Sequence, residues 1–255
     1  MSSYNNGQND PQDGSQNRAY SDRAVMTNIP AIQAPETDRA AFVGLVYQHI
    51  AAAVAAFVAF EVILFVTGVA GAMEEFFFTG GGGRWMLMLG GVMAIQWFSA
   101  NAAADMVNPS RQYIGLFGSS FGQAIIFAPF LSYIFGRDNG GATVAQAAII
   151  TGIGFAMLTA IGLFTRRDLN FLRPLVMWGF GLALLAIVGG LLFGFALGTW
   201  FSVAMIGLSG AAILYQTQNV VKRYPIGSHV SAAIALFSSL MTMFWYVLRL
   251  LMSRD

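Results

Sequence analysis

Cysteine is absent from these 255 residues, which excludes a disulfide framework, a thiolate metal site and a thiol nucleophile. Lysine occurs once, at Lys222, and histidine twice, at His49 and His229. A retinal protein needs a lysine in its last membrane helix to form a Schiff base, and Lys222 stands in a polar hinge instead. Haem or metal held within a membrane needs paired histidines. His49 and His229 each sit close to a helix boundary, where interfacial or packing roles are ordinary. No cofactor or metal is expected. Charge is scarce as well, at 10% Asp, Glu, Lys and Arg against roughly 25% in an ordinary soluble domain. With 56% hydrophobic residues and a mean hydropathy of +0.63, the apolar surplus cannot be hidden inside one soluble core. The formal net charge of +1 offers nothing to nucleic acid, and the partner that the composition requires is a lipid bilayer.

What is present is a series of long apolar runs punctuated by charge. A helix of about twenty apolar residues crosses roughly 30 Å of hydrocarbon, so the chain reads as an all-α polytopic membrane protein. Residues 1–39 are rich in Asn, Gln, Ser, Gly and Asp and lack the apolar core of a signal peptide; they read as a disordered polar tail. A docking segment for a partner is the alternative there. A transmembrane domain follows over residues 40–255. Its seven segments run from about Phe42 to Thr67, Trp85 to Ala104, Gln112 to Phe135, Val144 to Phe164, Pro174 to Phe195, Trp200 to Val220, and Val230 to Met252.

The connections are read from helix breakers. A loop is expected around Glu74, Glu75 and Gly80 to Gly83, and another at Asp105, Asn108 and Pro109. Gly115, Gly118 and Gly122 mark the third segment, and Pro129 should kink it. Gly190, Gly194 and Gly198 are spaced for close helix contact. Seven crossings put the termini on opposite sides. With the amino terminus in the cytosol, Arg23, Arg39, Arg111, Arg166, Arg167, Arg173, Lys222 and Arg223 all fall inside, as the positive-inside rule prefers.

Polar residues within the runs are few enough to weigh singly. Ser202, Ser209 and Gln216 recur along the sixth segment, and Ser231, Ser238 and Thr242 share a face of the seventh. Polar stripes turn away from lipid, so these two helices are expected to pack stripe to stripe. Glu61 is the one acid inside an apolar run, with Arg84 or Gln96 as its possible partner, and an intramembrane acid is a functional candidate by default. An aspartyl protease would need two facing carboxylates, and Glu61 and Asp105 do not pair at midplane. A serine nucleophile at Ser238 or Ser239 would lack a histidine at its depth. The chain is therefore expected not to be an enzyme. A candidate polar or ion pathway is left, formed by Glu61, Gln96, Ser209, Ser238 and Thr242.

Three stretches carry a resemblance: Phe42 to Tyr47; Phe155 through Thr165-Arg166-Arg167-Asp168-Leu169; and Gly207 to Gln218 with Leu236 to Leu250. Together they resemble the Bax inhibitor-1 family, in its bacterial YccA-like branch. The resemblance implies a seven-helix fold with the last helix central, in a bacterial inner membrane. For characterised relatives it implies a pH-sensitive calcium leak, and for some members modulation of a membrane-bound protease. The family ties the leak to two aspartates, in Tyr-Asp-Thr and Leu-Tyr-Leu-Asp motifs. The matching positions here are Gln216, within Tyr215-Gln216-Thr217, and Ser239, within Leu236-Phe237-Ser238-Ser239. The resemblance thus implies a kept scaffold and a lost carboxylate switch.

Overall fold

The computed structural model describes residues 29–253; most of the expected polar tail, residues 1–28, lies outside the described residues. The described chain is almost wholly helical: α1 (Glu36–Val66), α2 (Val69–Thr79), α3 (Gly81–Ala103), α4 (Pro109–Phe135), α5 (Gly140–Phe164), α6 (Leu172–Phe193), α7 (Thr199–Lys222) and α8 (His229–Met252), with short 3-10 turns at Ala31–Gln33 and Ile226–Ser228. Seven of these helices are long and apolar enough to cross a membrane; α2 is the exception. In hydrocarbon the backbone must bond to itself, and helices meet that demand within each segment.

α8 lies at the centre and packs on α1, α4, α5 and α7. Its small and apolar residues make this possible: Val230, Ala233, Phe237, Met241 and Val247 are all buried. The last helix is long and apolar enough to cross, with an even larger buried share than α4. α1 wraps it with one stripe, Phe42, Val46, Ile50, Ala53, Phe57 and Glu61, at steps of three and four. At 1.5 Å per residue the 31 residues of α1 extend to about 46 Å, longer than the hydrocarbon is thick. That length is enough for its polar start, Glu36 to Arg39, to stand beyond the bilayer core.

Residues 29–39 are built into this fold ahead of the expected start at Phe42. Ala31 is fully buried, and its N–H donates to the Tyr224 carbonyl at 2.9 Å, while the Ile226 N–H donates to the Ile29 carbonyl at 3.3 Å. An isolated antiparallel bridge pairs Pro30 with Pro225. The entry to α1 is stitched to the turn between α7 and α8.

The expected loop at Glu74 and Glu75 is the helix α2 instead. Gly68, at φ 76°, turns the chain, and the Thr67 hydroxyl closes the end of α1 on the Ile63 carbonyl at 2.7 Å. Phe78 and Trp85 then pack on Phe130 of α4, with ring centroids 5.6 and 4.7 Å away. Gly82 and Gly83 belong to the first turn of α3. A Cβ on Gly82 would stand 2.6 Å from the Leu191 carbonyl oxygen, so this glycine lets α3 meet α6.

The other breakers act locally. Asn108 caps α4 by accepting the Ser110 N–H at 3.1 Å, with Pro109 behind it. Asp105 accepts the Val107 and Asn108 N–H groups, each at 3.2 Å, and pairs with Arg111 at 2.9 Å. Pro129 lies buried inside α4. Of the three spaced glycines, only Gly190 is helical: Gly194, at φ 75°, ends α6, and Gly198 precedes α7. That spacing serves chain reversal rather than a helix contact.

Candidate functional site

α7 and α8 run against one another across the turn at Tyr224 to Ser228, where Ser228 donates to the Pro225 carbonyl at 2.7 Å. One polar bond crosses their seam. The Ser239 hydroxyl of α8 donates to Oε1 of Gln216 on α7 at 2.9 Å, with Ser239 buried and Gln216 half-buried. The positions picked out by resemblance are thus in contact, joined by a neutral hydrogen bond.

The rest of the two stripes does not meet across the seam. Ser209 donates back to Met205 and Ile206 carbonyls of its own helix, at 2.8 and 3.0 Å. Thr242 does the same to the Ser238 carbonyl at 2.8 Å, and Ser231 reaches the end of α3 at the Ala103 carbonyl, also at 2.8 Å. Back-bonding of this kind is how a lone hydroxyl is satisfied inside an apolar helix. The seam is held by apolar packing and one side-chain bond.

Behind the seam three hydroxyls converge. Tyr47 of α1 faces Thr217 of α7 and Thr159 of α5, all three hydroxyls lying away from solvent. α5 comes close enough for this through Gly162, whose added Cβ would stand 2.9 Å from the Thr217 side chain.

Two residues beyond Gln216 on α7, Gln218 does work that the residue pattern did not announce. Its Oε1 accepts the Leu169 N–H at 2.7 Å and its Nε2 donates to the Arg167 carbonyl at 2.6 Å. The Thr165-Arg166-Arg167-Asp168 run is therefore clamped to α7 by a buried amide, while Asp168 accepts the Asn170 N–H at 3.2 Å to begin the next turn. Gln218→Leu leaves two backbone groups unsatisfied, at a cost of about 1–3 kcal/mol each. A lower unfolding temperature in detergent, with faster proteolysis at Arg166 or Arg167, is the expected result. Unchanged cleavage would mean that the amide does not hold the loop.

Glu61 reaches neither of its expected partners. It is only 7% exposed, and both carboxyl oxygens are buried without a hydrogen bond. Arg84 donates to the Phe76 carbonyl at 2.7 Å and lies over the Phe76 ring. Gln96 is taken by α4, accepting the Ser119 hydroxyl at 2.8 Å and donating to the Ser119 carbonyl at 3.2 Å. No hydrogen bond joins any two of Glu61, Gln96, Ser209 and Thr242 among the described residues.

The histidines, weighed separately in the sequence, meet in the fold. The His49 and His229 rings lie 4.7 Å apart between α1 and α8. His49 Nδ1 donates to the Leu45 carbonyl at 2.7 Å, which leaves Nε2 to accept the Tyr113 hydroxyl at 3.3 Å. The signal was available: the start of the first segment and the start of the seventh lie at one membrane face. Nearby, at the α7–α8 turn, burial and then the neighbouring Tyr215 push the Tyr224 phenol above its usual range, so it stays neutral. Among the described residues, no three acids and histidines gather as a metal ion would need.

A family model described as Inhibitor of apoptosis-promoting Bax1 matches residues 39–255. An uncharacterized protein of Neisseria meningitidis serogroup A is 31% identical over 135 residues, covering 52% of this chain and 59% of that protein. A Campylobacter jejuni protein, also uncharacterized, is 26% identical over 194 residues, or 71% and 77% of the two chains. The modulator of FtsH protease YccA of Escherichia coli is 30% identical over 142 residues, or 52% and 64%. The aligned stretch thus spans about three fifths of the Neisseria protein's length. No solved structure gives a significant match. Because the family match runs from the first turn of α1 to the end of the chain, and the fold between is a bundle with seven helices long and apolar enough to cross a membrane around a buried α8, this chain belongs to the Bax inhibitor-1 family of membrane proteins.

Proposed function

We propose that this chain is a non-enzymatic regulator in a bacterial inner membrane, with its amino terminus in the cytosol, acting through contacts with other membrane proteins. The observation that carries this reading is the neutral Ser239–Gln216 bond, at 2.9 Å, where the resemblance implies a pair of aspartates. Two carboxyls at low dielectric can share a proton, bind a divalent cation or separate on ionising. A serine and a glutamine cannot ionise, so they neither share a titrating proton nor separate by charge, and their neutral oxygens hold a divalent cation less strongly than two carboxylates; they still join the helices. The scaffold is retained and the switch is lost. One relative is named as a modulator of FtsH protease, so a membrane-bound protease of that type is the partner class proposed.

Two measurements test this. In proteoliposomes, calcium flux should be near background and flat between about pH 6 and 8, the range in which a raised carboxylate pKa would titrate. Affinity capture from the native membrane should bring down an FtsH-type protease, and adding the purified chain should slow that protease on a membrane substrate. A steep pH-dependent calcium flux from the pure protein would sink the proposal.

Glu61 favours a second reading, a cation or proton leak past α1, because its carboxyl is buried with both oxygens free. Leaving such a group unpaired costs about 1–3 kcal/mol. Glu61→Leu is therefore expected to raise the unfolding temperature in detergent, and Glu61→Gln to leave the fold intact. If the leak exists, proton or cation flux falls to background in both variants. Equal flux in folded Glu61→Gln and parent protein removes this reading.

A further inference from the structure

α6 closes the bundle loosely. Leu172 and Ala183 are its only buried residues, and a cavity of about 740 Å³ lies between it, α3, α4 and α8. Cavities of a few hundred to about 1,000 Å³ are the size that proteins devote to small ligands. The walls are predominantly apolar and aromatic, with Trp85, Phe130, Phe180 and Trp245 among them; Gln123, Tyr246 and Thr242 add the few polar groups, and the Thr242 hydroxyl is already bonded to its own helix. Water is poorly held in such a space, because it finds too few polar partners. In a bilayer the neighbouring solvent is acyl chain.

One end of the cavity is different. Arg249, in the last turn of α8, lines it and donates to the Leu197 carbonyl in the α6–α7 connection. Among the described residues no carboxylate stands within ion-pair distance of it. A guanidinium carries five N–H donors in a fork that suits phosphate oxygens, and one bond to a carbonyl leaves most of them unused. The cation also sits in the last turn of α8, and the end of a membrane-length helix is where a long basic side chain can reach headgroups. Apolar length and a cation at one end describe a lipid rather than a water-soluble anion.

We propose that the cavity between α6 and α8 is a binding site for one anionic phospholipid, with an acyl chain among the aromatic side chains and the phosphate on Arg249. This is independent of the regulatory reading above and of any leak. An ordinary lipid annulus would fill the same space without regard to headgroup, and that difference can be measured.

The chain's own tryptophans report on it. Trp97, Trp178 and Trp200 face outward, at 71%, 73% and 85% exposure, and would be quenched by any brominated lipid. Changing these three to Phe leaves Trp85 and Trp245, both on the cavity wall. The full chain with these changes would be reconstituted into phosphatidylcholine nanodiscs containing a small fraction of brominated phosphatidylglycerol or, in parallel, brominated phosphatidylcholine. Quenching by the phosphatidylglycerol should be several-fold stronger at equal mole fraction. The excess should persist in Arg249→Lys and vanish in Arg249→Gln. Ala183→Phe, which fills the cavity, should weaken quenching by either lipid. If that variant does not fold, the comparison at Arg249 still decides. Equal quenching by the two lipids, an excess that survives Arg249→Gln, or no quenching by either, as a resident partner helix would give, overturns the proposal.

Discussion

Gly115→Ala should destabilise the bundle by about 1–3 kcal/mol, the usual cost of forcing extra volume into a packed contact, although it adds a single methyl group. A Cβ at that position would stand 2.5 Å from the Ser99 carbonyl oxygen and 2.7 Å from the Ala103 nitrogen of α3. Both are backbone atoms of a helix, so neither can move aside alone, and α3 and α4 must separate along their length. Two comparisons make the test sharp. Gly118→Ala meets only the Ser99 hydroxyl, at 2.6 Å, which can rotate away, so its penalty should be smaller. Gly90→Ala, on the exposed side of α3 with nothing within 4 Å, should gain up to about 1 kcal/mol from helix propensity. Unfolding temperatures in detergent should therefore rank Gly90→Ala above parent, then Gly118→Ala, then Gly115→Ala. If Gly115→Ala matches Gly90→Ala, the two helices are not held at the described spacing.

The second large effect is a gain. Gln216→Asp combined with Ser239→Asp should turn the flat calcium flux of the parent into one that depends on pH. The two side chains already touch at 2.9 Å, so the new carboxyls would face each other across the seam in surroundings of low dielectric. One proton shared between them keeps the helices together, and its loss sets two like charges against each other or admits a calcium ion. Either single variant puts one carboxyl opposite a neutral hydrogen-bonding group and should stay flat. The measurement is calcium entry into proteoliposomes at several pH values for the parent, both singles and the double. A folded double variant without flux would show that the pathway had closed when the acids were lost.

The seven spans were legible because each apolar run is long and most charges fall between runs, whereas the centrality of α8 was implied by the resemblance alone. α2 was not. It is 11 residues long, holds Glu74 and Glu75, and is followed by four glycines, all of which read as loop in a soluble context. Near a membrane the unpaired backbone is costly enough to make helix of such a stretch, and Gly82 is used for closeness to Leu191 rather than for flexibility. The spacing put Gln216 on the seam, but its partner Ser239 was implied by the resemblance alone, since the spacing chose Ser238. The rest of the stripes did not behave as the spacing suggested, because a lone hydroxyl can satisfy itself on its own helix, which no periodicity reveals. Gln218 and the His49–His229 pair depend on which helices become neighbours, and the helical period of one segment contains no such information.

The stitching of Ala31 to Tyr224 and of Ile226 to Ile29 gives the bundle a mechanical property. A pull on the chain ahead of residue 29 does not load α1 first. It is borne in shear by two backbone hydrogen bonds and passes into the turn that sets the spacing of α7 and α8. Residues 29–31 and the α7–α8 turn thereby share one anchorage, so displacing either strains the two backbone bonds that join them.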